Sequence, residues 1–342
     1  TDVEFYELRY SGQSAAFLRG FRAIYLGLIF NVIIMGSVSL AAIKIGAILL
    51  GITPVQTVLI AGCATVIYSS LGGLQGVLLT DFLQFSLAMI GSVAAAVIAL
   101  RHPDVGGLAG LLSNETLQTK LSLIPDPADH SVFITLLVIP LLVSWWSVWY
   151  PGSEPGGGGY IVQRMLAAKD ENNSLGAVFL FNAAHYALRP WPWIIVALCS
   201  MVVFPNIDAL KAAFPDAEGV VGNDLGYPAM LTFLPSGILG MMVAALAAAY
   251  MSTISTHLNW GASYLVHDVY ERFLRPDATD REYVWVGRVV TLVLMVLMAV
   301  VALRLESALD SFQIILQIGA GTGLLFILRW FWWRINAFSE IT

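Results

Sequence analysis

Long apolar runs separated by polar segments dominate this chain. Eight of them are long enough to cross a membrane, which takes about 20 apolar residues. They cover 17–49, 54–73, 74–100, 131–166, 174–204, 232–270, 282–303 and 311–333. Because lipid cannot satisfy exposed backbone groups, such runs form helices. The pattern therefore predicts an all-α membrane protein, with about eight transmembrane helices of a longer bundle.

The polar segments and the basic residues predict how these spans are oriented. Two long segments, 101–130 and 205–231, are rich in turn-forming residues. With eight spans, eleven of the 17 Lys and Arg residues fall on the side of the chain ends and four on the other, while Lys44 and Arg189 lie within runs. Basic residues favour the cytoplasmic side. We expect both ends to be cytoplasmic, both long loops to be extracellular or periplasmic, and the membrane to be a bacterial inner membrane.

Composition narrows the class of protein further. The chain is 58% hydrophobic and 12% charged, whereas a soluble domain is about 45–50% apolar and about 25% charged. Its net charge of -6 at pH 7 gives no means of holding phosphates. These values exclude a soluble enzyme and a nucleic-acid binder, and no catalytic motif is present. We expect no enzyme activity, with the lipid bilayer and a small-molecule solute as partners and the oligomeric state left open.

The two ends of the chain are polar. Residues 1–16 and 334–342 are typical of connecting loops, and the first residue is Thr1. We expect the chain to be an internal segment of a longer protein.

The sixth run carries the most informative chemistry. Four hydroxyl residues, Ser252, Thr253, Ser255 and Thr256, follow a stretch of small residues, and Ala249 lies one turn before them. Residues three and four apart share a helix face, and hydroxyl and carbonyl oxygens suit a small hard cation. Hydroxyls in helices can equally bond to the preceding turn. The residues alone leave both interpretations open.

Two interruptions in the runs are further candidates. Asp81 lies about two turns into the third run, where a carboxylate is either functional or at headgroup level. The fourth run is broken at 151–159 by Pro and Gly, which cannot sustain a helix. Such a break either lines a cavity, as at the substrate sites of many transporters, or is an external turn between two short spans.

Other polar residues lie at membrane depth. Asn31, Lys44 and His257 are expected to hold neighbouring helices together. Arg189 stands before two prolines, and it can reach the interface, pair with a carboxylate or bind a solute. The sequence does not choose among these roles.

Three segments, 68–84, 160–169 and 244–259 followed by Asp268 and Tyr270, resemble the sodium:solute symporter family. This family includes sodium/glucose cotransporters and the proline permease. The resemblance implies a leucine-transporter-type fold with two inverted five-helix repeats. Residues 17–100 would then be the last three helices of the first repeat, and 131–333 the second repeat. The sixth span would be the symmetry mate of the first, and both runs are long.

The resemblance also implies ligands for sodium, the expected coupling ion. The family's common sodium site falls on Ala249, Ser252 and Thr253. A second site, found in some members, falls on Asp81, Ser252, Ser255 and Thr256. The break at 151–159 lacks the aromatic, Asn and Gln residues of the sugar carriers, and their sugar-contacting lysine is not evident.

The expected function is sodium-coupled symport of a small polar organic solute, sugar or amino-acid-like, by alternating access, with one or two sodium ions. A membrane solute sensor that uses the same fold is the alternative. We expect the solute to bind near the break in the fourth span. The residues expected there are Trp145, Trp146, Trp149, Asn182, His185 and Gln317.

Overall fold

A computed structural model describes most of the chain. It covers residues 1–71, 74–122, 124–143, 165, 167–308, 311, 313–314 and 322–341. Within these ranges, the side chains at 66–71, 74–81, 143, 218, 322–323 and 326 fall outside the description. All statements below concern the described residues.

Eight described helices correspond to the eight predicted runs, although the fourth and the eighth cover less than half of theirs. We number them α1 (Gly12–Leu50), α2 (Pro54–Leu71), α3 (Leu74–Leu100), α4 (His130–Phe133, continuing as Ile134–Val143), α5 (Glu171–Val203), α6 (Ser236–Leu274), α7 (Asp280–Ala302) and α8 (Thr322–Phe331). Within the described ranges, five helices are long and apolar enough to cross a membrane, namely α1, α5, α6, α7 and the Phe82–Leu100 part of α3.

Helices α1 and α6 are the longest elements, with 39 residues each. At about 1.5 Å per residue each is about 58 Å long, roughly twice the thickness of the hydrocarbon core. Each contains a wider π-helical segment, Tyr25–Phe30 in α1 and Tyr264–Leu274 in α6. That the two helices are symmetry mates stays a prediction.

The two helices come close together at two glycines. A Cβ atom on Gly261 of α6 would lie 2.6 Å from the backbone oxygen of Gly27 in α1. Small residues at such crossings let helix backbones come together in membranes. One apolar cluster packs behind the crossing, with Tyr250 and Ile254 of α6 against Met35 of α1.

Both long loops fold into short helices. The first holds Gly107–Ser113 and Glu115–Lys120, and the second holds Ile207–Ala213 and Gly226–Leu231 among others. Leu111, Leu117 and Leu231 from these loops are buried in one cluster with the ends of α3 and α5. Both loops therefore lie at the same end of the bundle.

The ends of the chain differ from the expectation of connecting loops. Residues Phe5–Arg9 and Ala337–Ile341 are helical. The reason lies in the spacing of apolar residues: Val3, Tyr6 and Tyr10 lie three and four positions apart and are buried. They pack in one cluster with Ile335 and with the last part of α6. The two ends of the chain therefore lie at one end of the bundle.

Candidate functional site

The hydroxyl residues lie in the middle of α6, where the chain is a regular α-helix. The Thr253 hydroxyl donates to the backbone oxygen of Ala249 at 2.9 Å. The Ser255 hydroxyl donates to the backbone oxygen of Ser252 at 3.1 Å. Both bonds are the local back-bonding that the sequence left open as an alternative. They also place a hydroxyl oxygen and a carbonyl oxygen side by side on one helix surface.

The exposure of these residues divides them into two sets. Ser255 is buried, with 4% of its surface exposed. Ala249 is exposed, and Ser252, Thr253 and Thr256 are half-buried. Ser255 therefore turns toward the packed interior, while the other four form an accessible surface of α6.

Helix α3 crosses α6 about two turns before this surface. A Cβ atom on Gly91 of α3 would run into the Met242 sulfur of α6, so the two backbones are close there. Ala249, Thr253 and Thr256 follow Met242 by seven, eleven and fourteen residues. At 3.6 residues per turn these intervals fall near whole turns. The accessible oxygens therefore continue the face of α6 that meets α3.

Helix α1 holds α6 directly after the hydroxyl residues. The Asn31 amide of α1 donates to the His257 backbone oxygen at 2.8 Å, and His257 Nδ1 lies 2.6 Å from Asn31 Oδ1. Asn31 is fully buried. Since an amide oxygen only accepts, the proton of His257 is on Nδ1. The expectation that Asn31 and His257 join helices agrees with these contacts.

Helix α5 carries the described part of the expected solute site. Asp170 caps its first turn, where the carboxylate accepts from the Asn173 backbone N–H at 2.8 Å. This hydrogen bond lowers the pKa of Asp170. Asn182 is exposed and its amide donates to the Val178 oxygen at 2.8 Å. His185 lies in the π-helical segment Ala183–Leu188 and stacks on the Phe181 ring.

Arg189 follows this π-helical segment. Its guanidinium lies 4.9 Å from the centre of the Trp193 ring, which favours a cation–π interaction. Its Nε atom is buried without a hydrogen-bond partner among the described residues. The sequence left three roles open for Arg189. One of them, pairing with a carboxylate, is not seen among the described contacts.

Several predicted site residues lie outside the described part of the chain. Asp81 belongs to α3, but its side chain is not described. Trp145, Trp146, Trp149, Gln317 and the break at 151–159 are also outside the described residues. The structure therefore brings together Ala249, Ser252, Thr253 and Thr256, and it leaves these others as predictions.

Ion pairs between distant segments hold both ends of the bundle. At the loop end, Lys44 Nζ of α1 lies 2.5 Å from Asp224 Oδ1 and donates to the Glu306 backbone oxygen at 2.8 Å. At the other end, Arg19 of α1 pairs with the buried Asp268 of α6 at 2.7 Å. Sequence reasoning noticed Lys44, but its partner is 180 residues away and no spacing rule connects them.

The described residues contain no group of three or more His, Cys, Asp or Glu side chains that could hold a metal ion. The ligands that α6 offers between Ala249 and Thr256 are hydroxyl and carbonyl oxygens. Neutral oxygen ligands of this kind suit a weakly hydrated, singly charged ion better than a transition-metal ion.

Comparisons with known proteins agree with this picture. The model of the sodium:solute symporter family matches residues 3–339. The sodium/glucose cotransporter of Vibrio parahaemolyticus is 25% identical over 324 residues, which is 91% of this chain and 58% of that protein. The sodium/myo-inositol cotransporter 2 of Sus scrofa is 30% identical over 308 residues, which is 81% of this chain and 44% of that protein. The chain thus spans less than two thirds of these relatives.

A solved structure is similar in fold. It is the substrate-bound outward-open state of a Na+-coupled sialic acid symporter, with a TM-score of 0.68 and 20% identity, and the match covers 99% of this chain and 68% of that one. At this identity the likeness concerns the fold alone, and it confirms the predicted all-α leucine-transporter-type fold. These relatives are transporters and not enzymes, as predicted for this chain.

The resemblance noted in three short segments therefore extends along nearly the whole chain. The apolar helices and the family match together establish an integral membrane protein. The chain belongs to the sodium:solute symporter family.

Proposed function

We propose that the whole protein is a sodium-coupled symporter of a small polar organic solute that works by alternating access. The family match and the named sodium cotransporters among the relatives support sodium coupling. The observation in this chain that carries the proposal is the pair of oxygens on Thr253 and Ala249, 2.9 Å apart near the middle of α6. A hydroxyl and a carbonyl at this spacing can both face one bare cation.

The first sodium ion would be bound by the Ala249 carbonyl and the hydroxyls of Ser252 and Thr253. All three lie on the accessible surface of α6. The hydroxyl of Thr253 uses its proton in the bond to Ala249, which leaves its lone pairs for a cation. The existing hydrogen bond thus aims the hydroxyl oxygen, and an ion on the Ala249 oxygen would share that oxygen with this bond.

A second sodium ion would be bound by Asp81 together with Ser252, Ser255 and Thr256. Register along the two helices supports this grouping. Asp81 lies ten residues before Gly91 in α3, and Ser252 lies ten residues after Met242 in α6. Because Gly91 and Met242 mark the crossing of these antiparallel helices, both residues are about 15 Å from it in the same direction. Because Ser255 is buried, its hydroxyl would bind the ion only after a change in the position of α6.

The solute would bind beside α5, where Asn182 and His185 offer an amide and an imidazole next to the rings of Phe181 and Tyr186. Aromatic faces combined with a few polar groups are typical of sites for small organic solutes. The named relatives carry glucose and myo-inositol, which favours a polyhydroxylated solute over an amino acid. Trp145, Trp146, Trp149 and Gln317 remain the proposed completion of this site.

Contacts between α1 and α6 indicate which parts move together. The Asn31–His257 bonds and the Arg19–Asp268 pair join the two helices at two levels. We infer that α1 and α6 form one rigid unit. Sodium on the α6 surface would then bias how the remaining helices pack against this unit, and both ends of the chain would stay in the cytoplasm.

Uptake into proteoliposomes tests the proposal. A panel of labelled sugars, polyols and amino acids is supplied with and without an inward sodium gradient. We expect concentrative uptake of at least one solute only with sodium. In Thr253→Val, which keeps the shape and removes the hydroxyl, the sodium concentration for half-maximal uptake should rise at least about tenfold, the equivalent of about 1.4 kcal/mol for a lost ligand.

Thr65→Val is the matched control, because the Thr65 hydroxyl also donates to the carbonyl one turn back, on Ala61 at 2.7 Å, but lies in α2. It should leave the sodium dependence unchanged. Equal sodium dependence in the wild type and in Thr253→Val would contradict the assigned site. Solute binding without any accumulation would instead support the sensor alternative.

A further inference from the structure

A groove of about 610 Å³ runs between α6 and α7, toward the end of the bundle that holds the two chain ends. Its deeper wall is apolar and includes Leu258 and Ala262 of α6 and Met295 of α7. Gly287 lies at its floor, where a Cβ atom would meet only Val266 at 3.8 Å. The missing side chain of Gly287 keeps the groove open.

One cation at the shallow end of the groove has no acidic partner among the described residues. Arg288 lines the groove and is exposed, and within the described part of the chain it makes no ion pair. His267 also lines it, but its ring is bonded to Glu271 at 2.7 Å, so the two together add no net positive charge. Arg288 therefore supplies the positive charge of the groove.

Arg288 can reach the level of the lipid headgroups, because its long side chain can extend toward the near end of α7. It lies eight residues after Asp280, where α7 begins, which is about 12 Å along the helix. The neighbouring Trp285 is 65% exposed, and exposed tryptophans mark the membrane interface. Met295 lies about 10 Å deeper. The groove is thus charged at the interface and apolar toward the membrane centre.

Helix α7 is the least covered of the long spans, since 11% of its most apolar window is buried. Leu292, which also lines the groove, is 63% exposed. The groove consequently opens at the side of the described bundle. A single cation above an apolar slot complements a molecule with a phosphate at one end and a hydrocarbon chain at the other.

We propose that this groove binds an anionic phospholipid, with the phosphate on Arg288 and an acyl chain along Leu258, Ala262 and Met295. Basic pockets between transmembrane helices are a recognised way to hold such headgroups. This site is separate from the proposed sodium ligands and does not depend on them.

Photolabelling of the purified protein in nanodiscs tests the proposal. The probes are phosphatidylglycerol and phosphatidylcholine with a diazirine in one acyl chain, and labelled peptides are mapped by mass spectrometry. We expect the phosphatidylglycerol probe to label residues 258–295 more than the phosphatidylcholine probe. Arg288→Gln should lower this preference about fivefold, the equivalent of about 1 kcal/mol for one basic residue at an anionic surface.

Arg281→Gln is the matched control, because Arg281 is exposed in the same helix and does not line the groove. It should keep the wild-type preference. Gly287→Leu fills the groove while Arg288 remains, and it should remove labelling by both probes. Equal labelling by both lipids, equal effects of the two arginine variants, or protection of the groove by another protein segment would overturn the proposal.

Discussion

Asn31 of α1 and His257 of α6 bind each other through both ends of the Asn31 amide. Its nitrogen donates to the His257 backbone oxygen at 2.8 Å, and its oxygen lies 2.6 Å from His257 Nδ1. The amide nitrogen also reaches the Gly27 backbone oxygen of its own helix at 3.3 Å. These bonds satisfy both the nitrogen and the oxygen of a fully buried amide. They also fix the rotation of α6 one turn after Thr253.

Asn31→Ala is therefore expected to lower the free energy of unfolding by about 2 kcal/mol. Interhelical hydrogen bonds in membranes average about 0.6 and reach about 1.7 kcal/mol each, and the variant removes two of them and leaves the His257 ring without this partner. The measurement is unfolding in mixed micelles. Asn182→Ala is the control, since the Asn182 amide is exposed and bonds within its own helix. Equal losses in both variants would show that the interhelical bonds do not stabilise the fold.

We expect replacement of Lys44 and replacement of Asp224 to lower the stability of the protein by different amounts. The Lys44 side chain is 4% exposed and that of Asp224 is 25% exposed. Asp224 also accepts from the Ala308 backbone N–H at 3.1 Å. Asp224→Asn keeps an acceptor for Ala308 but leaves a buried ammonium without its counter-ion. Lys44→Met leaves a carboxylate that water can reach.

We expect Asp224→Asn to cost about 3 kcal/mol of stability and Lys44→Met about 1 kcal/mol, because a buried charge that loses its partner is strongly destabilising. The double variant should be more stable than Asp224→Asn alone. Unfolding of the three purified variants at one pH and salt concentration measures these differences. A double variant less stable than Asp224→Asn would refute the explanation by an unpaired ammonium.

The fold was largely predictable because transmembrane helices are visible in a sequence as long apolar runs. The bounds predicted for α3 match the structure, and those of α2, α5 and α7 agree within a few residues. The chain ends were not predicted, because Val3, Tyr6 and Tyr10 form too short a pattern in an otherwise polar stretch. Their burial depends on α6 and on Ile335, which only tertiary structure brings near.

The candidate site was predictable in composition but not in arrangement. Four hydroxyls within five residues are visible in the sequence, and so is Ala249 one turn earlier. The sequence did not reveal that Ser255 turns inward while Thr253 stays accessible. That division depends on which neighbours pack against each side of α6.

The ion pairs of Glu7 lead us to expect that the protein loses stability in acid. The hydrogen bond from Arg272, and then that from Arg19, hold the pKa of the Glu7 carboxyl below its ordinary value of 4.5, although burial opposes them. A pKa that is lower in the folded state means that ionised Glu7 stabilises the fold above about pH 4.5. This contribution is lost as the pH falls through the lowered folded pKa.

Glu7→Gln should therefore unfold at a lower temperature than the wild type at pH 7, and the difference between the two should shrink toward pH 3. Thermal unfolding in detergent across this range is the measurement. Glu115→Gln is the control, since Glu115 is exposed in the first long loop and makes no ion pair among the described residues. A constant difference across the range would contradict the assignment to the Glu7 carboxylate.

Two glycines at helix crossings should respond differently to the same added methyl group. In Gly261→Ala the new Cβ would run into the Asn31 amide nitrogen and lie 2.6 Å from the Gly27 backbone oxygen, so α1 and α6 must separate. In Gly91→Ala it would meet the sulfur and Cγ of Met242, an unbranched side chain that can change rotamer.

Overpacking costs about 1–3 kcal/mol, and we expect Gly261→Ala near the upper limit and Gly91→Ala near the lower one. Both are measured as free energies of unfolding under the same conditions. The two helix crossings then provide each other's control, because the same atom is added in each case. If Gly91→Ala were the more damaging change, the α3–α6 contact would be the rigid one, and the proposed rigid unit of α1 and α6 would have to be replaced by one that contains α3.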